Sequence, residues 1–89
     1  MKIITWDPKK NEHLKKQRGV SFDEVLFHVS AGDVLEIFEH PNQERYPGQK
    51  IYAIALEEYV YLVPFVESDD EIFLKTIIPS RKATKHFKR

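Results

Sequence analysis

Two apolar runs, Lys50–Glu57 (KIYAIALE) and Tyr59–Val66 (YVYLVPFV), are separated only by the turn near Glu57 and Glu58. β-branched and aromatic residues crowd both runs, and so short a connection can only fold them back on each other as a hairpin. The turn holds no Gly or Asn, so its type is open. Pro64 has no N–H to give to a ladder, which predicts an edge position or a bulge. Glu67-Ser68-Asp69-Asp70 forms the next turn, and Ile72–Ile78 reads as a third strand, extending the hairpin to an antiparallel meander. These strands are apolar on both sides: Tyr52, Ile54 and Leu56 on one, Ile51, Ala53 and Ala55 on the other. One face then takes helices, and the other needs a cover, either the C-terminal tail or another protein.

Upstream of the meander the helix signals are explicit. Ile3 and Ile4, before Trp6, read as a short first strand. Asp7-Pro8 starts a helix, because Asp7 can accept from free first-turn N–H groups and Pro8 loses nothing at the first helical position. That helix runs to about Arg18, stops at Gly19, and has Leu14 as its one strongly apolar residue, so it lies on the surface. Trp6 reads as core or as packing against this helix. Ser21 and Glu24 form a capping box, flanked by Val20 and Val25 as a staple. Phe22, Val25, Leu26 and Val29 then share one face of a second helix that ends at Gly32, with His28 off the stripe and exposed. Asp33–Glu39 reads as a strand, followed by the loop HPNQERYPGQ, whose His40, Glu44, Arg45 and Tyr46 make it chemically rich. After Pro79, Ser80 can cap a short helix from Arg81 to about Lys88.

The expectation is one α+β domain spanning residues 1–89, with two N-terminal helices packed on an antiparallel meander and a short C-terminal helix. The chain has no cysteine, which fits a reducing cytoplasm. No run reaches the length of a membrane helix, and the N-terminus lacks a signal peptide's apolar core. Net charge is zero but unevenly spread. Residues 1–18 carry Lys2, Lys9, Lys10, Lys15, Lys16 and Arg18 against Asp7 and Glu12; residues 75–89 carry six cations and no acid. The middle, 19–74, sets only Arg45 and Lys50 against twelve acids. If the two ends meet, they form one basic patch on an acidic body; otherwise they are ordinary solvated faces.

His13, His28, His40 and His86 lack metal-ligand spacing, and there is no glycine-rich phosphate loop. What remains is a set of cations with a few polar groups. That set suits metal-free RNA cleavage, which needs a base for the 2′-hydroxyl, cations at the phosphorane and a proton donor for the leaving oxygen. The same cations could instead grip phosphate without catalysis.

The segment WDPKKNEHLKKQRGVSFDEV resembles the N-terminal signature of the BrnT toxin family. HPNQERYPGQKIY is similar to that family's E-R-[FY]-x-x-G segment, and TIIPSRKAT to its terminal I-I-S-A-R-x-A motif. The three blocks keep the family's order and span nearly the whole chain. Gln17-Arg18-Gly19 stands where K-H-G is usual, and Pro79-Ser80 where Ser-Ala is common. The resemblance implies a RelE-like fold and a ribonuclease toxin of a type II toxin–antitoxin pair. Such a toxin is independent of metal and cofactor, and a ribbon-helix-helix antitoxin encoded alongside neutralises it. Operator DNA is engaged only through the antitoxin, and no membrane is involved. By motif match Arg81 and Arg45 would stabilise the phosphorane, with Glu44 or His40 as the base. Lys15, Lys16, Arg18, Lys82 and Lys85 would hold RNA phosphates. The alternative is a module that binds an antitoxin and nucleic acid without catalysis.

Overall fold

A computed structural model describes residues 2–87. The chain runs β1 (Ile3–Trp6), α1 (Pro8–Arg18), α2 (Phe22–Ser30), β2 (Glu36–Glu39), β3 (Gln49–Leu56), β4 (Tyr59–Glu67), β5 (Glu71–Leu74), β6 (Ile78–Pro79) and α3 (Arg81–Phe87). The α+β class expected from the sequence is present. The expected antiparallel meander is present as β3-β4-β5, but the sheet as a whole is not purely antiparallel. The sheet order is β1-β5-β4-β3-β2, with β6 also on β4, and β1 lies parallel to β5, so the sheet is mixed. The α1–α2 connection carries the chain away from β1, and among the described residues β1 pairs only with β5, more than sixty residues later. No local pattern could reveal that pairing.

The helix starts follow their caps. Asp7 Oδ1 accepts from Lys9 N–H at 3.0 Å, and Gly19 closes α1 at φ 67°, a conformation that costs glycine little. Ser21 Oγ accepts from Glu24 N–H at 3.3 Å. A cap that was not foreseen comes from α1: Asn11, buried, accepts from Phe22 N–H at 2.7 Å and donates to Asp23 Oδ2 at 3.1 Å. Asn11 thus supplies α2 with a first-turn partner and ties the polar helix to its neighbour. His28 is not free as expected. Its side chain is about four-fifths covered, with Nδ1 2.8 Å from Asp33 Oδ2, while the neighbouring Phe27 is exposed.

Strand alternation places Tyr52, Ile54, Leu56, Val63, Phe65 and Leu74 on the face that packs against Leu14, Val20, Phe22 and Val25. Trp6 stacks on Phe22 at 5.7 Å, in keeping with its reading as core. Phe22, Leu14 and Ile54 are fully buried, each such side chain contributing roughly 1.5–3 kcal/mol. The opposite face carries Ala53, Ala55, Val60, Leu62 and Phe38, and α3 lies across it. The helices therefore sandwich the sheet, two on one side and α3 on the other. Of the two covers the sequence left open for the second face, the tail occupies part.

The hairpin turn is tight: Leu56 pairs with Tyr59, and Glu57 and Glu58 both have positive φ (50° and 68°), the signature of a type I′ turn. β2 is shorter than the expected strand over 33–39, because Asp33 N–H still bonds His28 O and Leu35 N–H bonds Ala53 O, outside the regular register. The expected strand over 72–78 is also broken. Three steps along β4, from Phe65 to Leu62, face four steps from Leu74 to Ile78, which is a bulge. Pro64 sits opposite it, accepting from Lys75 N–H at 2.8 Å. Its missing N–H faces the bulge, which is why a proline survives in a central strand. Ser80 caps α3 as expected, accepting from Ala83 N–H at 3.0 Å. Lys88, at the expected end of that helix, lies outside the described residues.

Candidate functional site

The segment between β2 and β3 is built rather than slack. His40 N–H bonds Gln49 O at 2.9 Å and closes its base. Gln43 spans the interior: Nε2 donates to His40 O at 2.7 Å and to Gln49 O at 3.2 Å, and Oε1 accepts from Gly48 N–H at 3.1 Å. Asn42 Oδ1 accepts from Arg45 N–H at 3.1 Å, while Asn42 O accepts from Tyr46 N–H at 3.0 Å. Side chains here replace the ladder that strands would have supplied, as Asn side chains do in tight turns.

Within this frame the His40 ring packs on Tyr46 with centroids 4.3 Å apart, and the Arg45 guanidinium lies 5.6 Å from the same Tyr46 ring. Asn42 N–H points at His40 Nδ1 at 3.0 Å. A nitrogen that accepts carries no proton, so the neutral ring bears its proton on Nε2 and offers that atom as a donor. Of the two base candidates, this geometry gives His40 the part of donor and leaves the carboxylate of Glu44, exposed on the same loop, as the acceptor. Asn42 and Gln43 were not singled out from the sequence. Their type and position in a Pro- and Gly-flanked loop were the available signal.

The other cations lie elsewhere. α3 is joined to the first residues of β4: Ser80 N–H bonds Val60 O at 3.0 Å, and Val60 N–H bonds Thr84 Oγ1 at 2.9 Å. The loop instead adjoins Gln49, which pairs with Val66 at the other end of β4. Val60 and Val66 are six residues apart, roughly 20 Å along a strand. Arg81 and Arg45 are thus held at opposite ends of one strand. Arg81 and Lys85 are exposed, and Lys82 lines a groove beside Leu62 and Phe38. Arg81 takes part in none of the ion pairs of the described residues.

The first helix does not join either group. Lys15 sits 3.3 Å from Glu12 and 3.9 Å from Asp23, both surface pairs of small energetic weight. Lys16 is exposed on the same helix. Arg18 reaches the sheet, where Nη1 donates to Ile77 O at 2.7 Å and satisfies a carbonyl of the bulge. Since α1 and α3 cover opposite faces, the basic termini do not merge into one patch. The uneven charge of the sequence becomes separate cationic regions.

Two titrations are displaced, both near the loop end of β4. Lys2 Nζ donates to Glu67 Oε2 and, with Lys50 3.7 Å from the other oxygen, holds that carboxyl below its usual range. Burial, and then the charge of Glu67, pushes the Tyr52 hydroxyl up. Among the described residues no group of three or more His, Asp or Glu is placed to hold a metal ion. No helix there is long and apolar enough to cross a membrane. No protein-family model, curated protein or solved structure matches this chain.

Proposed function

We propose that this chain is a ribonuclease toxin of a type II toxin–antitoxin pair, RelE-like in fold and similar to the BrnT toxins. It acts in the cytoplasm on mRNA and is neutralised by a ribbon-helix-helix antitoxin. The observation that carries the reading is the loop, where His40 and Arg45 share one hydrogen-bonded frame with the Tyr46 ring and the exposed Glu44 directly precedes Arg45. The order of elements, one strand, two helices, a run of strands and a terminal helix, supports the fold likeness.

In this reading Glu44 takes the proton of the 2′-hydroxyl, and O2′ attacks the adjacent phosphorus. The bond from phosphorus to O5′ breaks; His40 Nε2–H hydrogen-bonds the departing O5′, which takes its proton from solvent water, and Glu44 returns its own proton to solvent. The products are a 2′,3′-cyclic phosphate and a 5′-hydroxyl. Arg45 faces the non-bridging oxygens, where its planar fork matches the developing charge. Arg81, Lys82 and Lys85 hold the strand further along, as phosphate contacts that position without reacting. The test is incubation of the purified chain with RNA in EDTA. Cleavage is expected, falling about 10²–10³-fold in Arg45→Ala. Cleavage no greater than that of the Arg45→Ala control would sink the enzyme reading.

The anchoring of the loop and of α3 on β4 residues six apart, roughly 20 Å along the strand, favours a second reading, a module that binds an antitoxin and reaches nucleic acid only through it. Growth arrest on expressing the chain alone discriminates: the toxin arrests growth, the module does not.

A further inference from the structure

Among the described residues, β2 is the last strand of the sheet and pairs only with β3. His40 N–H bonds Gln49 O, so by the antiparallel alternation Glu36 and Phe38 turn their backbone groups toward β3. Ile37 and Glu39 turn theirs outward, with no strand among the described residues to receive them. The side chains fit the same picture. Ile37 is 56% exposed on the face shared with Tyr52, while Phe38 looks the other way into a groove of about 460 Å³ against Leu62 and Phe87 of α3. Neither Glu36 nor Glu39 has an ion-pair partner among the described residues. Lys50, opposite Glu39, is within reach of Glu67 instead.

The geometry points to a docking edge: β2 receives an extended segment of another protein with the pattern Lys/Arg–apolar–apolar–Lys/Arg. The backbone of Ile37 and Glu39 supplies the ladder. The two apolar side chains cover Ile37 on one face and enter the Phe38 groove on the other. The flanking cations answer Glu36 and Glu39, which stand three residues apart as the pattern requires. The acidic rim disfavours a nucleic-acid strand at this edge. Because His40 directly follows β2, a segment seated here ends beside the candidate loop and obstructs it. That last consequence rests on the proposed nuclease site; the docking itself does not.

The probe is a fluorescein-labelled octapeptide containing Lys-Val-Ile-Lys, followed by anisotropy with the full chain. Saturable binding in the tens of micromolar is expected, with the largest amide shifts at Ile37 and Glu39 in NMR spectra. Affinity should fall at least about tenfold when the central amides of the peptide are N-methylated, or when its lysines are replaced by glutamates. Ile37→Pro, which removes an outward N–H and no bond to β3, should do the same. Glu36→Lys with Glu39→Lys should invert the charge preference. The inference is overturned by absence of saturable binding up to millimolar peptide, by equal binding of the N-methylated peptide, or by equal binding of the charge-swapped one. Sedimentation showing a dimer without peptide that Ile37→Pro dissociates would also overturn it, assigning the edge to a second copy. If peptide binds but leaves RNA cleavage unchanged, docking stands and only its link to the nuclease site fails.

Discussion

The two ends of β4 present arginines in different ways. At one end the 40–48 loop is braced by its own side chains, with Gln43 alone making three bonds across it. At the other end Arg81 rides on a seven-residue helix held by Ser80 and Thr84 to a single strand residue, Val60. Beside that attachment the turn keeps two glutamates at positive φ. Orienting a reacting group demands that its support not move, whereas gripping a polyanion tolerates a looser one. Under the proposed function, this difference puts chemistry on the loop and attachment on the helix.

The sharpest way to break this contrast is to exchange the losses. Arg45→Ala should lower RNA cleavage at saturating substrate by about 10²–10³-fold, some 3–4 kcal/mol of transition-state stabilisation. Arg81→Ala should leave that rate within a few-fold and raise KM instead. Single-turnover rates against RNA concentration check both, and the reverse pattern would move the chemistry to α3. Next in size, Thr84→Val leaves the N–H of the buried Val60 without a partner and should cost about 1–3 kcal/mol, read from urea unfolding.

The strained turn offers a gain rather than a loss. Glu57→Asn with Glu58→Gly suits a type I′ turn and should raise stability by about 1 kcal/mol, seen as a higher urea midpoint at unchanged slope. Gln43→Ala should change global stability by under about 1 kcal/mol, since its bonds are exposed, yet speed amide exchange at Gly48 and lower cleavage. No change in exchange would remove the claim that the loop is braced.

The smallest effect is at acid pH. Glu67 is held below its ordinary pKa by Lys2, so it contributes stability above its unfolded pKa and loses it as pH falls through the lower folded one. Glu67→Gln should flatten the acid limb of a stability–pH curve slightly, the group being solvent-exposed. Tyr52 has the opposite sign. Its raised pKa means stability is complete below the usual tyrosine range and lost as pH rises through the folded value, a limb that Tyr52→Phe should remove.

The hairpin, both N-caps of α1 and α2 and the Ser80 cap were legible because each rests on residues near in sequence; Pro64 was legible only as an edge or a bulge, and pairing with Lys75 and Ile78 decided for the bulge. The apolar stripe of α2 was legible for the same reason. The loop could be flagged from His40, Glu44 and Arg45 but not its construction, since Gln43 and Asn42 act through backbone atoms whose placement depends on closure by Gln49. The merging of the basic ends was an expectation that geometry did not meet. Charge counted along a chain carries no information about which face of a sheet each helix will take.

By itself, then, the sequence determined the elements: periodicity, caps and proline chemistry are local, and local energies act wherever the chain goes. Tertiary structure alone decided what those elements bring together. The parallel seat of β1 on β5 depends on contacts between distant residues, as does Arg18 on the Ile77 carbonyl. So do α3 on the second face and the anchoring of the Arg45 loop and the Arg81 helix at opposite ends of β4. Each follows from which apolar surfaces bury each other, a property of the folded sheet and not of any one segment.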